Sequence, residues 1–354
     1  MRLAALWRHG YSVALTRPWQ DARGGAVSTR EGWLVCIETT EGRRGWGEAA
    51  CLPAFGTGTA GDNDAALGWA ADRLVGLSIA EALERLQGLE EPGVLAAAPA
   101  ARCGLEFALL DLSARQAGMP LYRWLRQDAG SEVAVNAAIG GLDAGTAGRL
   151  AAAAAAGYPV AKLKLGVTTA EQEWPLLERL LAGGPSSCAL RLDLNGGWPV
   201  VLAERLLPKL CGHGIDALEE PAAAADDATL ARWQANLDYP LALDESLPRR
   251  DDARTLPVRR QVLKPMLLGG PLRALRLAEQ RAVSSVVSTT LETAVGLWAC
   301  AHLAAAMPAG GGRGLAHGLD TGRWLTRLLG PALPAGGLIA LHDAPGLGFE
   351  PAVD

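Results

Sequence analysis

A chain of 354 residues exceeds a typical single domain, and its 49% apolar and 20% charged residues exclude a disordered or fibrous polymer. With 33 Lys and Arg against 38 Asp and Glu the formal charge is -5, and without a basic block to neutralise phosphates, nucleic acid is not expected as a partner. Cys36, Cys51, Cys103, Cys188, Cys211 and Cys300 are scattered without a Cys-x-x-Cys pair, which predicts reduced, mostly buried thiols rather than a zinc site or disulfide framework.

The N-terminal MRLAALWRHG carries an apolar stretch too short for a secretory-signal core, and no window approaches a bilayer span, so a cytoplasmic protein without membrane contact is expected. GWLVCIETT and WGEAA, joined by the turn EGRRG, predict an antiparallel hairpin in the first 50 residues. Two helices follow. Ser78 with Glu81 three residues on opens the first, which stops at Glu91-Pro92-Gly93. The second runs over about 101–117 with Leu105, Leu109 and Leu112 on one face and ends at Gly118. Strands followed by helices predict an α+β module over residues 1–130.

From Val133 short apolar strands alternate with helices, one of them opened by Thr168 with Glu171. Strands are predicted at 133–139, 159–165, 188–194, 215–220, 240–244, 261–265 and 282–288, with an eighth near 314–319 to close a ring. The rival architecture, an open doubly wound sheet, needs a glycine fingerprint after its first strand, and Gly140-Gly141 alone does not supply it. The expected fold class is therefore α/β, a TIM-type barrel behind a capping module.

Residues two apart on a strand share a face. In AKLKLG this sets Lys162 and Lys164 against Leu163 and Leu165, and in LRLDLN it sets Arg191, Asp193 and Asn195 against Leu192 and Leu194. Glu219, Asp244 and Lys264 likewise oppose Leu218, Leu243 and Leu263. If the leucines pack on helices, the charges point inward. The steps from Lys164 to Asp193, Glu219, Asp244 and Lys264 are 29, 26, 25 and 20 residues, each one βα unit. Five successive strands thus deliver an ionisable group to the C-terminal mouth, where barrel chemistry is done.

Three converging carboxylates repel one another unless a cation sits between them, and hard oxygen ligands suit Mg²⁺, with Mn²⁺ as a substitute. Asp193, Glu219 and Asp244 are the predicted ligands. Lys164 and Lys264 flank the ion, leaving room for a small carboxylate substrate anchored on it. A lysine near Mg²⁺ and a second ammonium is expected to have a lowered pKa and to serve as a general base. Glu220 has the wrong parity for the interior and is expected to be secondary to Glu219.

The residues Lys162-x-Lys164, RLDLN at 191–195, LEEP at 218–221, LDES at 243–246 and KPMLLGG at 264–270 resemble the enolase superfamily, in its muconate-cycloisomerase-like branch. GWGEAACLPAF, Lys264-Pro265 and VSTTLETAVGL at 287–297 narrow the resemblance to the dehydratase family that forms o-succinylbenzoate. The chain departs from that pattern at Thr289 and Thr290, where serines are usual, at Cys51 and Ala54, and in the first loop, Arg17 to Arg23.

The resemblance implies a modified (β/α)7β barrel over 131–322, a cap over 1–130 and a segment 323–354 returning to the cap. It also implies Mg²⁺-dependent syn dehydration of a cyclohexadiene carboxylate carrying a succinyl arm, for menaquinone synthesis. Lys164 would then act as base and acid, and Lys264 would stabilise the anion. Lys162, Arg191 and Asn195 would stand around the substrate, with Lys162 lowering the pKa of Lys164 and Arg191 orienting a carboxylate or the metal ligands unless both only balance the buried acids. Ser288 and Thr289 would hold the substrate carboxylate, and Pro53 and Phe55 would close over the arm. The alternatives are a dipeptide epimerase or N-acylamino acid racemase on the same scaffold, a metal-free Schiff-base lyase and a barrel that only binds ligand.

Overall fold

The computed structural model describes residues 1–20, 26–88, 92–184, 187–250 and 254–353. Residues 21–23 of the first loop and Glu91 of the predicted helix stop lie outside them. The chain opens with β1 (Leu3–Gln20), β2 (Ala26–Thr39) and β3 (Arg44–Ala50), an antiparallel sheet in the order β1-β2-β3. The expected hairpin is β2–β3, in register from Gly32 opposite Ala50 to Glu38 opposite Arg44. The long β1 was not singled out by the sequence, since its exposed Arg8 and half-buried His9 and Tyr11 blur the alternation.

Helices α1 (Ala60–Leu74), α2 (Ile79–Gln87), α3 (Pro92–Ala97), α4 (Pro99–Ala117) and α5 (Leu121–Leu125) follow. Ser78 and Glu81 form the expected capping box of α2. A second box, Thr59 with Asp62, opens α1; it went unread because its third position is Asp rather than Glu or Gln. The buried α4 lies against β3 so closely that a Cβ on Gly47 would stand 1.9 Å from the Gly104 carbonyl oxygen. Only glycine fits that approach.

The second part alternates strand and helix. It comprises β4 (Glu132–Ala134), β5 (Asn136–Gly141), α6 (Thr146–Ala155), β6 (Val160–Lys164), α7 (Ala170–Leu181), β7 (Ala189–Asp193), α8 (Val200–Leu206) and β8 (Ala217–Glu219). There follow α9 (Asp227–Ala235), β9 (Leu241–Leu243), β10 (Arg260–Leu263), α10 (Pro265–Leu268), α11 (Pro271–Gln280), β11 (Ser284–Val287), α12 (Ala294–Ala305) and β12 (Leu338–Ala340). Strands β5 to β11 form one parallel sheet in sequence order. The ring closes through single bridges, Val135 to His317 and Ser288 to Gly318. The fold is the expected modified barrel.

Three local expectations are corrected. The 133–139 strand is two strands, because β4 turns away to pair antiparallel with β12. No extended eighth strand forms at 314–319; in this glycine-rich stretch only His317 and Gly318 reach the ladder. The box of α7 is Thr169 with Gln172, one residue beyond the predicted pair. Glu173, rather than Glu171, turns back to accept the amides of Gly166, Val167 and Thr168.

The chain's end contacts the first part of the molecule. Leu121 N donates to Gly346 O at 2.9 Å, Arg115 Nη1 to Glu350 Oε1 at 2.6 Å and Trp46 Nε1 to Glu350 Oε2 at 2.5 Å.

Candidate active site

Strand register sets the level of each charged group. Lys164 stands opposite Asp193, and Asp193 opposite Glu219, while Lys162 stands opposite Arg191 one layer deeper. Asp244 follows β9, and Lys264 follows β10 immediately before α10. At the C-terminal mouth a cavity of about 350 Å³ is lined in part by Lys162, Lys164, Asp193, Asn195 and Lys264, while Glu219 and Asp244 lie behind this lining, paired with Lys162 and Lys264. Ser288, Thr289 and Phe55 also line it.

The ion pairs inside are short. Lys162 Nζ lies 3.0 Å from Asp193 Oδ2 and 2.5 Å from Glu219 Oε2, and Lys264 Nζ lies 2.6 Å from Asp244 Oδ2. Lys264 also stands 5.3 Å from the centre of the Phe55 ring, a cation–π distance. Burial pushes the pKa of Lys164 down, and the Lys162 and Lys264 ammoniums push the same way against Asp193. For Lys162 burial acts in the same sense, but the charges of Asp193, Glu219 and Asp244 outweigh it and hold the ammonium protonated. Glu219 and Asp244 are pushed up by burial, whereas Lys162 and Lys164 together overcome burial at Asp193 and hold it down.

Among the described residues no three acidic, His or Cys side chains form a preassembled metal cage; the Lys162 ammonium lies between Asp193 and Glu219, and that of Lys264 lies on Asp244. The donor set nevertheless fits a hard divalent cation. Asp244 Oδ1, Asn195 Oδ1 and Glu245 Oε2 are buried oxygens without a hydrogen-bond partner in the described structure. All are ligands of the type that Mg²⁺ takes.

Two predicted substrate contacts lie elsewhere. Arg191 is 2% exposed and does not line the cavity. Its Nε donates to Asp216 Oδ2 at 2.7 Å, Nη1 to Asn136 Oδ1 at 3.1 Å and Nη2 to Ala316 O at 2.9 Å. Parity gave its face correctly, but its position two residues before Asp193 puts it below the cavity floor. Pro53 lines a neighbouring cavity, and Leu52 takes its place at the mouth. Ser288 and Thr289 reach the mouth, with the Thr289 hydroxyl 2.7 Å from that of Thr321.

Glu220 was read only as secondary to Glu219, and other residues of the site were not read from the sequence at all. Glu220 Oε1 accepts from Asp244 N, Ser246 N and Ser246 Oγ, so it braces the turn that carries Asp244. Glu245 joins the site because the chain leaves β9 at Leu243 and strand parity ends there; Asn195 Nδ2 donates to its Oε1 at 3.3 Å. On the far side, the Arg17 guanidinium lies 4.2 Å from the Trp324 ring centre, and Asp320 and Thr321 complete that wall. The signal for these was present only in tertiary proximity.

Residues 146–354 match the family described as "Enolase C-terminal domain-like", and residues 10–125 match "Mandelate racemase / muconate lactonizing enzyme, N-terminal domain". The o-succinylbenzoate synthase of Thermobifida fusca is 41% identical over 125 residues, which are 34% of this chain and 38% of that protein. The matched region thus spans less than half the length of that curated relative. The L-Ala-D/L-Glu epimerase of Bacillus subtilis shares the fold with a TM-score of 0.84 at 24% identity, covering 98% of both chains. An enolase-superfamily member of Roseovarius nubinhibens, solved in complex with magnesium, gives 0.83 at 23% identity, covering 99% of this chain and 96% of that one.

Proposed function

The chain belongs to the mandelate racemase/muconate lactonizing enzyme family of the enolase superfamily, and on that premise we propose that it is a Mg²⁺-dependent carbon–oxygen lyase. Its reaction in this reading is the syn dehydration of 2-succinyl-6-hydroxy-2,4-cyclohexadiene-1-carboxylate to o-succinylbenzoate, a step of menaquinone biosynthesis. The partial similarity to o-succinylbenzoate synthase supports this choice of substrate. Residues 131–322 then carry the chemistry, residues 1–130 cover the mouth, and residues 323–354 tie the two together.

The observation that carries the reading is that Lys164, Lys264 and Asp193 line one cavity, with Glu219 and Asp244 held at its floor by ion pairs to Lys162 and Lys264. A proton next to a carboxylate is very weakly acidic, since its loss places a second negative charge on that carboxylate. A divalent ion held by Asp193, Glu219 and Asp244 would supply charge stabilisation there. Lys164, whose burial favours the neutral amine, takes the proton from the ring carbon. The electron pair left behind expels the neighbouring hydroxyl as the carbon–oxygen bond breaks. Lys164 returns its proton to that hydroxyl, so water leaves and the ring becomes aromatic.

Lys264 stays protonated on Asp244 and stabilises the anion from the other side. Ser288 and Thr289 offer hydroxyls to the substrate carboxylate, Asn195 steadies Asp193, and Phe55 packs on the succinyl arm. Lys162 balances Asp193 and Glu219, and its ammonium favours the neutral amine of Lys164. The test is loss of the diene ultraviolet absorbance when purified protein meets the cyclohexadiene acid with Mg²⁺. Absence of turnover, together with α-deuterium exchange and inversion on N-acylamino acids or dipeptides in D₂O, would replace this reading by the epimerase one.

A further inference from the structure

Two loops form neighbouring parts of the cavity wall. One follows β3 and brings Leu52 and Phe55 to the mouth; the other follows β11 and brings Ser288 to Leu291. The first loop is a single 3-10 turn, Pro53–Phe55, and the second has no regular structure between β11 and α12. Leu291 holds φ at +67°, a backbone conformation that L side chains rarely adopt, between Thr290 and Glu292, which are joined to each other by two hydrogen bonds.

Arg30 of β2 lies between them, 1% exposed. Its Nε donates to Leu291 O at 3.2 Å, and its Nη1 donates to Cys51 O, the residue before Leu52. One rigid guanidinium therefore grips both walls through main-chain carbonyls. It does not reach the lysines or carboxylates of the site, and it lines the neighbouring cavity behind Leu52 rather than the mouth. Glu48 of β3 supports the second loop further along, accepting Thr293 N, Thr293 Oγ1 and Gly296 N, each at 2.8 Å. Glu48 holds only one wall; Arg30 holds two.

We propose that Arg30 is a positioning residue that sets the separation of the Leu52–Phe55 and Ser288–Leu291 walls, and so determines which substrate arm the cavity admits. This rests on the reading of that cavity as the substrate site. The planar fork matters more than the charge, because two carbonyls on different loops must be met at once. Arg30→Lys keeps the charge but can satisfy only one wall at a time. Arg30→Met removes both bonds.

Hydrogen–deuterium exchange tests the positioning without any turnover. In Arg30→Met, and to a smaller extent in Arg30→Lys, amides of residues 51–57 and 289–293 should exchange about tenfold faster, with those of β6 and β7 unchanged. Unchanged exchange in either loop overturns the proposal, as does uniform acceleration throughout the barrel. If Arg30→Met fails to fold by circular dichroism, Arg30→Lys alone decides. Kinetics on the cyclohexadiene acid then test the selection of the arm: KM should rise about tenfold in Arg30→Met with kcat within about threefold of the parent. A fall in kcat at unchanged KM overturns it. Failure of the parent protein to turn over this acid counts against the proposed reaction alone, since the exchange result stands by itself.

Discussion

Asp193 and Glu219 stand directly opposite each other on adjacent parallel strands, and one ammonium, that of Lys162, lies within 3.0 Å of the first and 2.5 Å of the second. Two buried carboxylates at that spacing are tolerable only beside positive charge. Chelation should therefore abolish turnover and Mg²⁺ should restore it. Asp193→Asn and Glu219→Gln should each weaken Mg²⁺ binding in calorimetry and lower kcat by on the order of 10²–10³-fold. Normal ion binding and turnover in both variants would disprove the assigned ligand set.

Lys164 has a separate role from its neighbour two residues earlier. Its pKa is lowered by burial and by two ammoniums, whereas that of Lys162 is raised by three carboxylates. Lys164→Ala should cut kcat by about 10²–10⁴-fold, the usual worth of a positioned acid–base group, with an unchanged circular dichroism spectrum. Lys264→Ala should also remove nearly all turnover. Retention of activity in either variant would refute its assigned part in the reaction.

Glu220, at φ +45°, spends one carboxylate oxygen on three donors at the start of the Asp244 turn. Glu220→Ala should cost about 1–3 kcal/mol of stability by stranding buried amides, and should also reduce activity by displacing Asp244. Thermal melts and Mg²⁺ titrations read the two effects separately. A variant that melts and binds like the parent would show that the brace is dispensable.

Glu106 of α4 is buried, accepts Leu272 N at 2.9 Å, and faces Arg102 and Arg276. Burial raises its carboxyl from 4.5 to about 7, only partly opposed by that amide and those arginines. The native state then holds a proton that the unfolded chain releases. Its contribution to stability is fully present below pH ~4.5 and is lost as pH rises through about 7, a swing of ~3 kcal/mol at about 1.4 kcal/mol per unit. Glu106→Gln should flatten the decline of melting temperature over this range. An unaltered pH profile would show that Glu106 is ionised throughout in the folded protein.

The barrel and its charged mouth were legible because strand periodicity is strict. Leu163, Leu192, Leu218, Leu243 and Leu263 face outward, so Lys164, Asp193, Glu219, Asp244 and Lys264 had to face inward. Parity gives a face but not a depth, which is why Arg191 was placed with the substrate rather than beneath the floor. Parity also stops where a strand stops, which hid Glu245 and the bracing role of Glu220. Arg17, Trp324 and Asp320 come from opposite ends of the chain, and only folding brings them to one wall.

The stave between Val135 and Ser288 is held by single bridges at His317 and Gly318, whereas each of its fellows belongs to a continuous ladder. Asp320 and Thr321 follow that short seam and line the cavity. Evolutionary tinkering with ligand preference can therefore enter at this joint, swapping one wall of the vessel while the laddered strands that carry the charged residues keep their shape.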